Sequence, residues 1–312
     1  MPHLNPYIAG NPIDDRSVFF GRQDIFREVM QVLRHPQSNA IVLYGQRRIG
    51  KTSVLLQLKH QLVEEGNFTP VYFDLQDKAA KPLGRVLLEL AQRIATETEQ
   101  TLPNQENFDQ SGEYFQKTFL PEITEKIGVG SLVLLFDEFD VLDSPVRGAA
   151  GQDFFPYLRT WMTDLEGVQF VFVIGRRPED LSVDTLSTFK AVRASRVSVL
   201  EQKEAEAIVR QSERSKSLAW TKGAIDKIWS WTHGHPYFTQ LLCSVVWDHA
   251  YEESPSETPR VGVEEVDVAI KDALKRGANA FQWIWDGLPP AERVVSAGQG
   301  EHVGVFTIVG NK

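Results

Sequence analysis

Short apolar runs alternate with helical repeats along the first two hundred residues. Five runs are rich in β-branched or aromatic side chains, which is typical of buried parallel strands. These predicted strands are residues 40–44, 70–74, 132–136, 170–174 and 197–200. Apolar residues recur at helical spacing between them, which predicts helices at 52–64, 83–96 and 114–127. The alternation predicts an α/β fold, a parallel sheet covered by helices on both faces.

The pattern changes near residue 200, where strands are no longer predicted and helical repeats continue. Helices are predicted at 201–212, 221–231, 236–251 and 263–276, with Thr221 as an N-cap. We therefore expect an α/β core over 1–200 and a helical lid subdomain over 201–277. Pro289 and Pro290 favour another helix start, so 278–312 is expected to begin a third unit.

Composition narrows the class of protein. Hydrophobic residues make up 42% and charged residues 24% of the chain, as in ordinary globular proteins. The single cysteine, Cys243, excludes an internal disulfide, and its apolar surroundings indicate a buried thiol in a reducing, cytoplasmic setting. The longest apolar runs are too short to cross a bilayer, so no membrane partner is expected. A net charge of −9 argues against broad nucleic-acid binding.

One segment carries a phosphate-binding pattern. Gly45-Gln46-Arg47-Arg48-Ile49-Gly50-Lys51-Thr52 fits G-x-x-x-x-G-K-[ST] between a predicted strand and a predicted helix. Backbone N–H groups of such a loop, with the positive end of the following helix, form an anion nest. We expect Lys51 to reach the β- and γ-phosphates and Thr52 to ligate Mg²⁺. Arg47 and Arg48 have two open interpretations: contact with phosphate oxygens, or pairing with acidic groups in the lid or a partner chain.

Two adjacent carboxylates follow the third predicted strand. Asp137 and Glu138 end the run 132–136, and strand ends of this kind border the ligand crevice in parallel sheets. Asp137 is expected to hold Mg²⁺, and Glu138 to orient and polarise the attacking water. Asp140 and Asp143 are interpreted as surface or helix-start residues, and Asp74 as a weaker supporting candidate. The extra strand 70–74 and Glu138 together indicate the P-loop branch that uses an adjacent catalytic glutamate.

These residues resemble the STAND ATPases and the related archaeal-type AAA ATPases from about residue 5 to 297. The resemblance rests on Gln46-Arg47-Arg48-Ile49 with Ser53 after it, on Phe19-Phe20-Gly21-Arg22, on Gly175-Arg176-Arg177, and on Gly234-His235-Pro236. It implies that Gly21 and Arg22 lie near the nucleotide base. It also implies that Arg176 is a sensor arginine and that Pro236 contacts the nucleotide.

The resemblance further implies a slow ATPase that acts as a switch. An ADP form is latent, and exchange for ATP opens it for assembly into a homo-oligomer with a protein partner or effector. The resemblance also implies a winged-helix unit after the lid. The preference for ATP over GTP rests on the resemblance alone.

Two rival functions share the same phosphate loop. A DNA-associated loader would need a basic recognition helix near the C-terminus, and 277–312 contains only Arg293 and Lys312 as strong bases. The sequence therefore argues against nucleic acid as a partner. A scaffold that binds nucleotide without hydrolysis is disfavoured by the presence of Glu138.

Overall fold

The structure is a computed structural model and describes residues 3–109, 111–143, 150–164, 166–253 and 258–286. It divides into two compact units. The core unit consists of Gln23–Gly45 and Lys51–Val197. The helical unit consists of Met1–Arg22, Gln46–Gly50 and Ser198–Lys312. The boundaries at residues 200 and 277, which the sequence predicts between functional domains, stay a prediction.

The core unit is built on one five-stranded parallel sheet in the order β2-β3-β4-β1-β5. The strands are β1 (Ala40–Tyr44), β2 (Phe68–Asp74), β3 (Ser131–Asp137), β4 (Val168–Ile174) and β5 (Arg193–Arg196). The three inner strands are almost wholly buried, because helices supply apolar side chains to the sheet. This architecture confirms the predicted α/β class with a parallel sheet.

Six α-helices of the described core unit connect or flank these strands. They are α1 (Gln23–Leu33), α2 (Lys51–Glu65), α3 (Leu83–Glu97), α4 (Leu120–Ile127), α5 (Ala150–Asp164) and α6 (Val183–Phe189). A π-helical turn, Phe115–Phe119, leads into α4. Phe136 and Phe172 stack in the core at 5.6 Å between ring centroids, and Phe139 packs edge-on against Phe172 at 4.8 Å. These rings fix the end of β3, where the acidic pair lies.

One predicted strand was misplaced. The apolar run 197–200 favoured a strand there, yet β5 is Arg193–Arg196. β5 is an edge strand with only Ser195 buried, so the rule that buried strands are apolar does not apply to it. Val197 still donates its N–H to the carbonyl oxygen of Tyr44 at 2.8 Å, which extends the pairing with β1 by one bond.

The helical unit is not purely helical. It contains α7 (Gln202–Val209), α8 (Gln211–Arg214), α9 (Lys222–Thr232), α10 (Pro236–Glu253) and α11 (Val263–Asp286). Two short strands, β6 (Ala219–Trp220) and β7 (Arg260–Val261), pair in parallel, so the prediction that strands end near residue 200 was wrong. Thr221 caps α9 by accepting from the N–H of Ala224 at 3.2 Å, as predicted.

The last described helix is longer than its sequence pattern indicated. α11 continues to Asp286, whereas the apolar repeat predicted an end at residue 276. Buried Gly277, Ala280 and Ile284 continue the packed face beyond that point. The predicted helix start at Pro289 and most of the predicted third unit lie outside the described residues.

None of the helices in the described ranges has the length and apolar character needed to cross a membrane.

Candidate functional site

The phosphate loop joins an inner strand to a long helix. β1 ends at Tyr44 and α2 begins at Lys51, so 45–50 is the connection between them. The Lys51 side chain is buried, and its Nζ donates to the carbonyl oxygen of Gly45 at 3.0 Å. The ammonium group is therefore folded back along the loop, next to the first turn of α2, where the helix dipole also favours anions.

Asp137 is held by three donors at the end of β3. The Tyr72 hydroxyl donates to Oδ2 at 3.0 Å, and the N–H of Glu138 donates to Oδ1 at 3.0 Å. The Thr52 side chain also hydrogen-bonds this carboxylate. The structure thus brings together the two predicted metal-binding residues, one from the first turn of α2 and one from β3.

The electrostatics of Asp137 are compatible with a bound cation. The side chain is only 2% exposed. Burial raises the pKa of the Asp137 carboxyl, and hydrogen bonds from Thr52, Tyr72 and the Glu138 N–H offset part of that rise. A hydroxyl and a carboxylate in contact are oxygen ligands of the kind Mg²⁺ prefers. The residues present therefore fit a magnesium site formed by Thr52 and Asp137.

Glu138 has a special backbone conformation. Its φ of 49° and ψ of 39° lie in the left-handed region, and a 3₁₀ turn, Phe139–Leu142, follows directly. Such a conformation is uncommon for a residue with a Cβ and costs on the order of 1 kcal/mol. The buried Phe139 ring fixes this turn, so the Glu138 carboxylate leaves the strand end at a defined point, partly exposed to solvent.

Arg176 follows β4 and is engaged by two acids. Its Nε donates to Oδ2 of Asp140 at 3.2 Å, and Nη2 donates to Oδ2 of Asp143 at 3.0 Å. Asp140 also accepts from the N–H of Gly175 at 2.9 Å. The interpretation of these acids as surface residues was wrong, because their side chains are only 12% and 5% exposed. Asp140 does lie in the first turn of the 3₁₀ helix Phe139–Leu142, in line with its interpretation as a helix-start residue. The sensor role of Arg176 stays a prediction.

In the helical unit, Arg22 supports the backbone of the phosphate loop. Its Nη2 donates to the carbonyl oxygen of Ile49 at 3.0 Å, and Nη1 donates to the carbonyl oxygen of Ser198. The N–H of Arg22 donates to Oε1 of Glu204 at 3.1 Å, and Gly21 lies against the same carboxylate. The side chain of Arg22 is buried, so these bonds fix it in place. Its predicted position near the base is untested.

The two loop arginines differ in position. Arg47 is exposed, whereas Arg48 donates from Nη1 to the carbonyl oxygen of Gly10 at 2.8 Å and lies against the rings of Tyr237 and Trp283. Two interpretations were open for Arg48: contact with phosphate oxygens, or pairing with acidic groups in the lid or a partner chain. The observed contacts resemble the second, except that Arg48 meets aromatic rings and a backbone carbonyl rather than acidic side chains. Gln46 is half-buried.

Two other residues that the resemblance implies near the nucleotide are Pro236 and Ser53. A Cβ built on Gly50 would lie 4.0 Å from Cγ of Pro236, the first residue of α10. Ser53, in contrast, is buried within the first turn of α2.

Sequence reasoning missed Tyr72. It lies on β2, two residues before Asp74, which is the register partner of Asp137. The tyrosine is visible in the sequence, but its relation to Asp137 depends on β2 and β3 being neighbours. Strand order was the missing information.

A parallel sheet with this loop after an inner strand and this acidic pair after another defines a P-loop NTPase domain. Residues 34–181 match the family described as AAA domain. Together, the fold and this match support an AAA-like P-loop ATPase class, without deciding the STAND subtype. No curated protein matches the chain at the significance threshold.

Solved structures share the fold at low sequence identity. The Walker-type ATPase PABY2304 of Pyrococcus abyssi is 13% identical with a TM-score of 0.62, covering 94% of this chain and 78% of its own. Orc1 of Aeropyrum pernix, solved in complex with DNA, is 16% identical with a TM-score of 0.55, covering 91% and 72%. RuvB of Thermotoga maritima, a Holliday junction branch migration motor, is 14% identical with a TM-score of 0.50, covering 93% and 79%. These similar structures do not support the expectation that this protein has no nucleic-acid partner.

Proposed function

We propose that this protein binds ATP with Mg²⁺, hydrolyses it slowly, and uses the nucleotide as a conformational switch. The observation that carries the proposal is the contact of the Thr52 side chain with the Asp137 carboxylate. It joins two motifs that are far apart in the sequence, and each has the residue type that magnesium-dependent phosphoryl transfer requires.

The chain's own residues have distinct roles in this reaction. Backbone N–H groups of Gly45–Thr52 bind the phosphate oxygens, and the Lys51 ammonium exchanges its bond to the Gly45 carbonyl for one to the β- and γ-phosphates. Glu138 orients the attacking water and polarises its O–H bond toward the carboxylate. Mg²⁺, when bound at Thr52 and Asp137, would neutralise charge on the transferred phosphoryl group.

The switch role rests on the family resemblance and on the helical unit. The residues that resemble the base and lid motifs, Arg22 and Pro236, belong to the same unit as Gln46–Gly50. Binding of a nucleotide to the phosphate loop would therefore alter contacts within that unit. The proposal includes three properties: the protein hydrolyses ATP slowly, it is latent when ADP is bound, and it assembles into a homo-oligomer when ATP is bound.

The first test separates binding from hydrolysis. We expect native protein to carry co-purified adenine nucleotide, detected by mass spectrometry. Lys51→Ala should weaken MgATP binding by at least about tenfold in calorimetry, because one charged hydrogen bond contributes about 1.5–3 kcal/mol. Lys59→Ala is the matched control, since Lys59 lies on the same helix and pairs with Glu97 instead.

Glu138→Gln tests the catalytic step. It should retain MgATP binding and lose about a hundredfold or more in phosphate release, the usual contribution of a positioned base. Phosphate release that depends on Mg²⁺ in the parent protein would also distinguish an ATPase from a scaffold. Tight ATP binding by Lys51→Ala would contradict the proposal.

A DNA-associated ATPase is the second candidate, favoured by the similarity to Orc1 solved with DNA. The net charge of −9 opposes it. Titration of a labelled duplex at two salt concentrations decides, because phosphate contacts make binding strongly salt-dependent. Saturable binding stimulated by MgATP would favour the DNA-associated role over the signalling switch.

A further inference from the structure

Arg48 occupies a three-sided clamp inside the helical unit. Its guanidinium carbon lies 5.2 Å from the ring centroid of Tyr237 and 5.5 Å from that of Trp283. Its Nη1 donates to the carbonyl oxygen of Gly10 at 2.8 Å, and a Cβ built on Gly10 would lie 3.4 Å from the same nitrogen. One side chain of the phosphate loop therefore contacts the N-terminal segment, α10 and α11.

The backbone of Arg48 needs external support. Its φ is 63°, in the left-handed region that residues with a Cβ rarely adopt. Such conformations persist when surrounding contacts over-determine them. Guanidinium groups stack well on aromatic rings and donate in a fixed plane, so the clamp suits arginine in particular.

The Gly10 side of the clamp is itself anchored. We call residues 3–10 the N-terminal strap. Nδ2 of Asn5 donates to Oδ1 of Asp248 at 2.7 Å, and the Tyr7 hydroxyl donates to the carbonyl oxygen of Val209 at 2.5 Å. Both partners belong to helices of the same unit, so the Gly10 carbonyl is a fixed acceptor.

The Trp283 side is the more open one. Trp283 lies in the last described turns of α11, and half of its surface is exposed. Its ring meets the phosphate loop through Arg48, while the buried face of α11 is formed by smaller neighbours such as Ala280. A change at Arg48 therefore reaches the exposed side of the last described turns of α11, next to Phe281, which stacks on Phe238 at 4.6 Å.

We propose that Arg48 is a positioning residue, which fixes the left-handed turn of the phosphate loop through this clamp and transmits phosphate binding to Trp283 on α11. The inference rests on the proposed nucleotide binding and adds the route by which the helical unit senses it. Phosphate oxygens that draw the loop amides inward change the backbone at Arg48. The guanidinium then shifts relative to both rings.

Tryptophan fluorescence tests the route directly. The chain has seven tryptophans, so the signal of Trp283 is assigned by difference from Trp283→Phe. We expect MgATP and a non-hydrolysable analogue to change the emission of the parent protein, and Trp283→Phe to lose at least half of that change. Arg48→Ala should lose the Trp283-dependent part at nucleotide concentrations where calorimetry shows the site saturated.

Arg47→Ala is the matched control, because it removes a neighbouring arginine that is exposed; compared likewise at nucleotide concentrations where calorimetry shows the site saturated, it should keep the Trp283 response. Arg48→Lys keeps the charge without the planar fork and should give a reduced response, which covers the case in which Arg48→Ala fails to fold. A full Trp283 response from nucleotide-saturated Arg48→Ala or Arg48→Lys would overturn the inference, as would a parent protein that binds MgATP without any Trp283 response. Absence of nucleotide binding by the parent would instead remove the proposed function itself.

Discussion

The Tyr72 hydroxyl donates a hydrogen bond of 3.0 Å to Oδ2 of Asp137, across the neighbouring strands β2 and β3. Oδ1 of the same carboxylate accepts from the N–H of Glu138. Both oxygens are thus oriented by donors that are fixed in the sheet or in the turn after it. A carboxylate positioned in this way needs little rearrangement to serve as a metal ligand.

Replacing Tyr72 with Phe should weaken magnesium-dependent nucleotide binding. Loss of one hydrogen bond to a charged group costs about 1.5–3 kcal/mol, which corresponds to a loss of roughly tenfold or more in affinity. Calorimetry with MgATP should show this loss, while ATP affinity in EDTA should change little. Tyr157→Phe removes a hydroxyl that bonds the Gly112 carbonyl elsewhere in the core unit and is the control. An unchanged ratio of the two affinities would contradict the positioning role of Tyr72.

The sequence allowed prediction of the inner strands and of the motifs at their ends, because burial on both faces leaves continuous apolar runs. It did not reveal β5, whose edge position admits Arg193 and Arg196. It also left out Tyr72 and did not reveal that Asp140 and Asp143 bind Arg176. Their contacts depend on which strands are neighbours and on how the turn after β3 folds, and neither is encoded in local spacing.

Arg176→Ala should destabilise the core unit. The substitution leaves Asp140 and Asp143 without their guanidinium partner, and both carboxylates are largely buried. Because Arg176 is itself 41% exposed, solvent screens the pairing. We expect a loss of about 1–2 kcal/mol in the free energy of unfolding, measured by urea titration. Arg176→Lys should recover only part, since an ammonium group cannot reproduce the planar fork.

The same variants separate a structural from a sensor role. A structural Arg176 predicts that kcat of the surviving folded protein stays within about threefold of the parent. A sensor arginine predicts a far larger drop in kcat, of the order seen when an electrostatic group is removed from a phosphoryl-transfer site. We expect the stability loss in either case, so an Arg176→Ala protein as stable as its parent would refute the importance of the cluster.

His235 should make the folded protein sensitive to acid. The imidazole is fully buried, and within the described residues neither ring nitrogen has a hydrogen-bond partner. Burial, and then the nearby Arg22 charge, lower the pKa of His235 from 6.5 to about 3. The unfolded chain therefore binds one more proton than the folded protein between these values. The contribution of neutral His235 to the free energy of unfolding is therefore at its full value above pH 6.5, and it declines as the pH falls toward 3.

His235→Leu removes this linkage. The difference in unfolding free energy between parent and variant should change by up to about 1.4 kcal/mol per pH unit below 6.5, in favour of the variant as pH falls. Urea titrations at pH 7.5, 6 and 5 provide the measurement. His249→Leu is the control, because His249 lies on α10 with its ring partly exposed beside Asp272. Parallel pH profiles for parent and His235→Leu would show that the ring is not buried in neutral form.

Gly234→Ala should be far more destabilising than an ordinary glycine substitution. Gly234 has a φ of 76°, and a Cβ there would lie 2.2 Å from the carbonyl oxygen of Leu200 and 2.9 Å from the Trp229 ring. The Leu200 N–H also donates to the Gly234 carbonyl at 2.9 Å, so the two backbones cannot separate without losing a bond. We expect a loss of about 3–5 kcal/mol in unfolding free energy, from the left-handed backbone and the clash together.

Gly66→Ala isolates the backbone part of that cost. Gly66 has a similar φ of 73°, but a Cβ there would meet nothing within 4 Å, so we expect a loss of only about 1–2 kcal/mol. The difference between the two variants measures how closely residues 200 and 234 approach. A large difference would show that the glycine of the Gly-His-Pro motif is needed for this close packing. The nucleotide contact predicted for Pro236 would then have to be tested separately. Equal losses for the two variants would show that the close approach to Leu200 does not exist in solution.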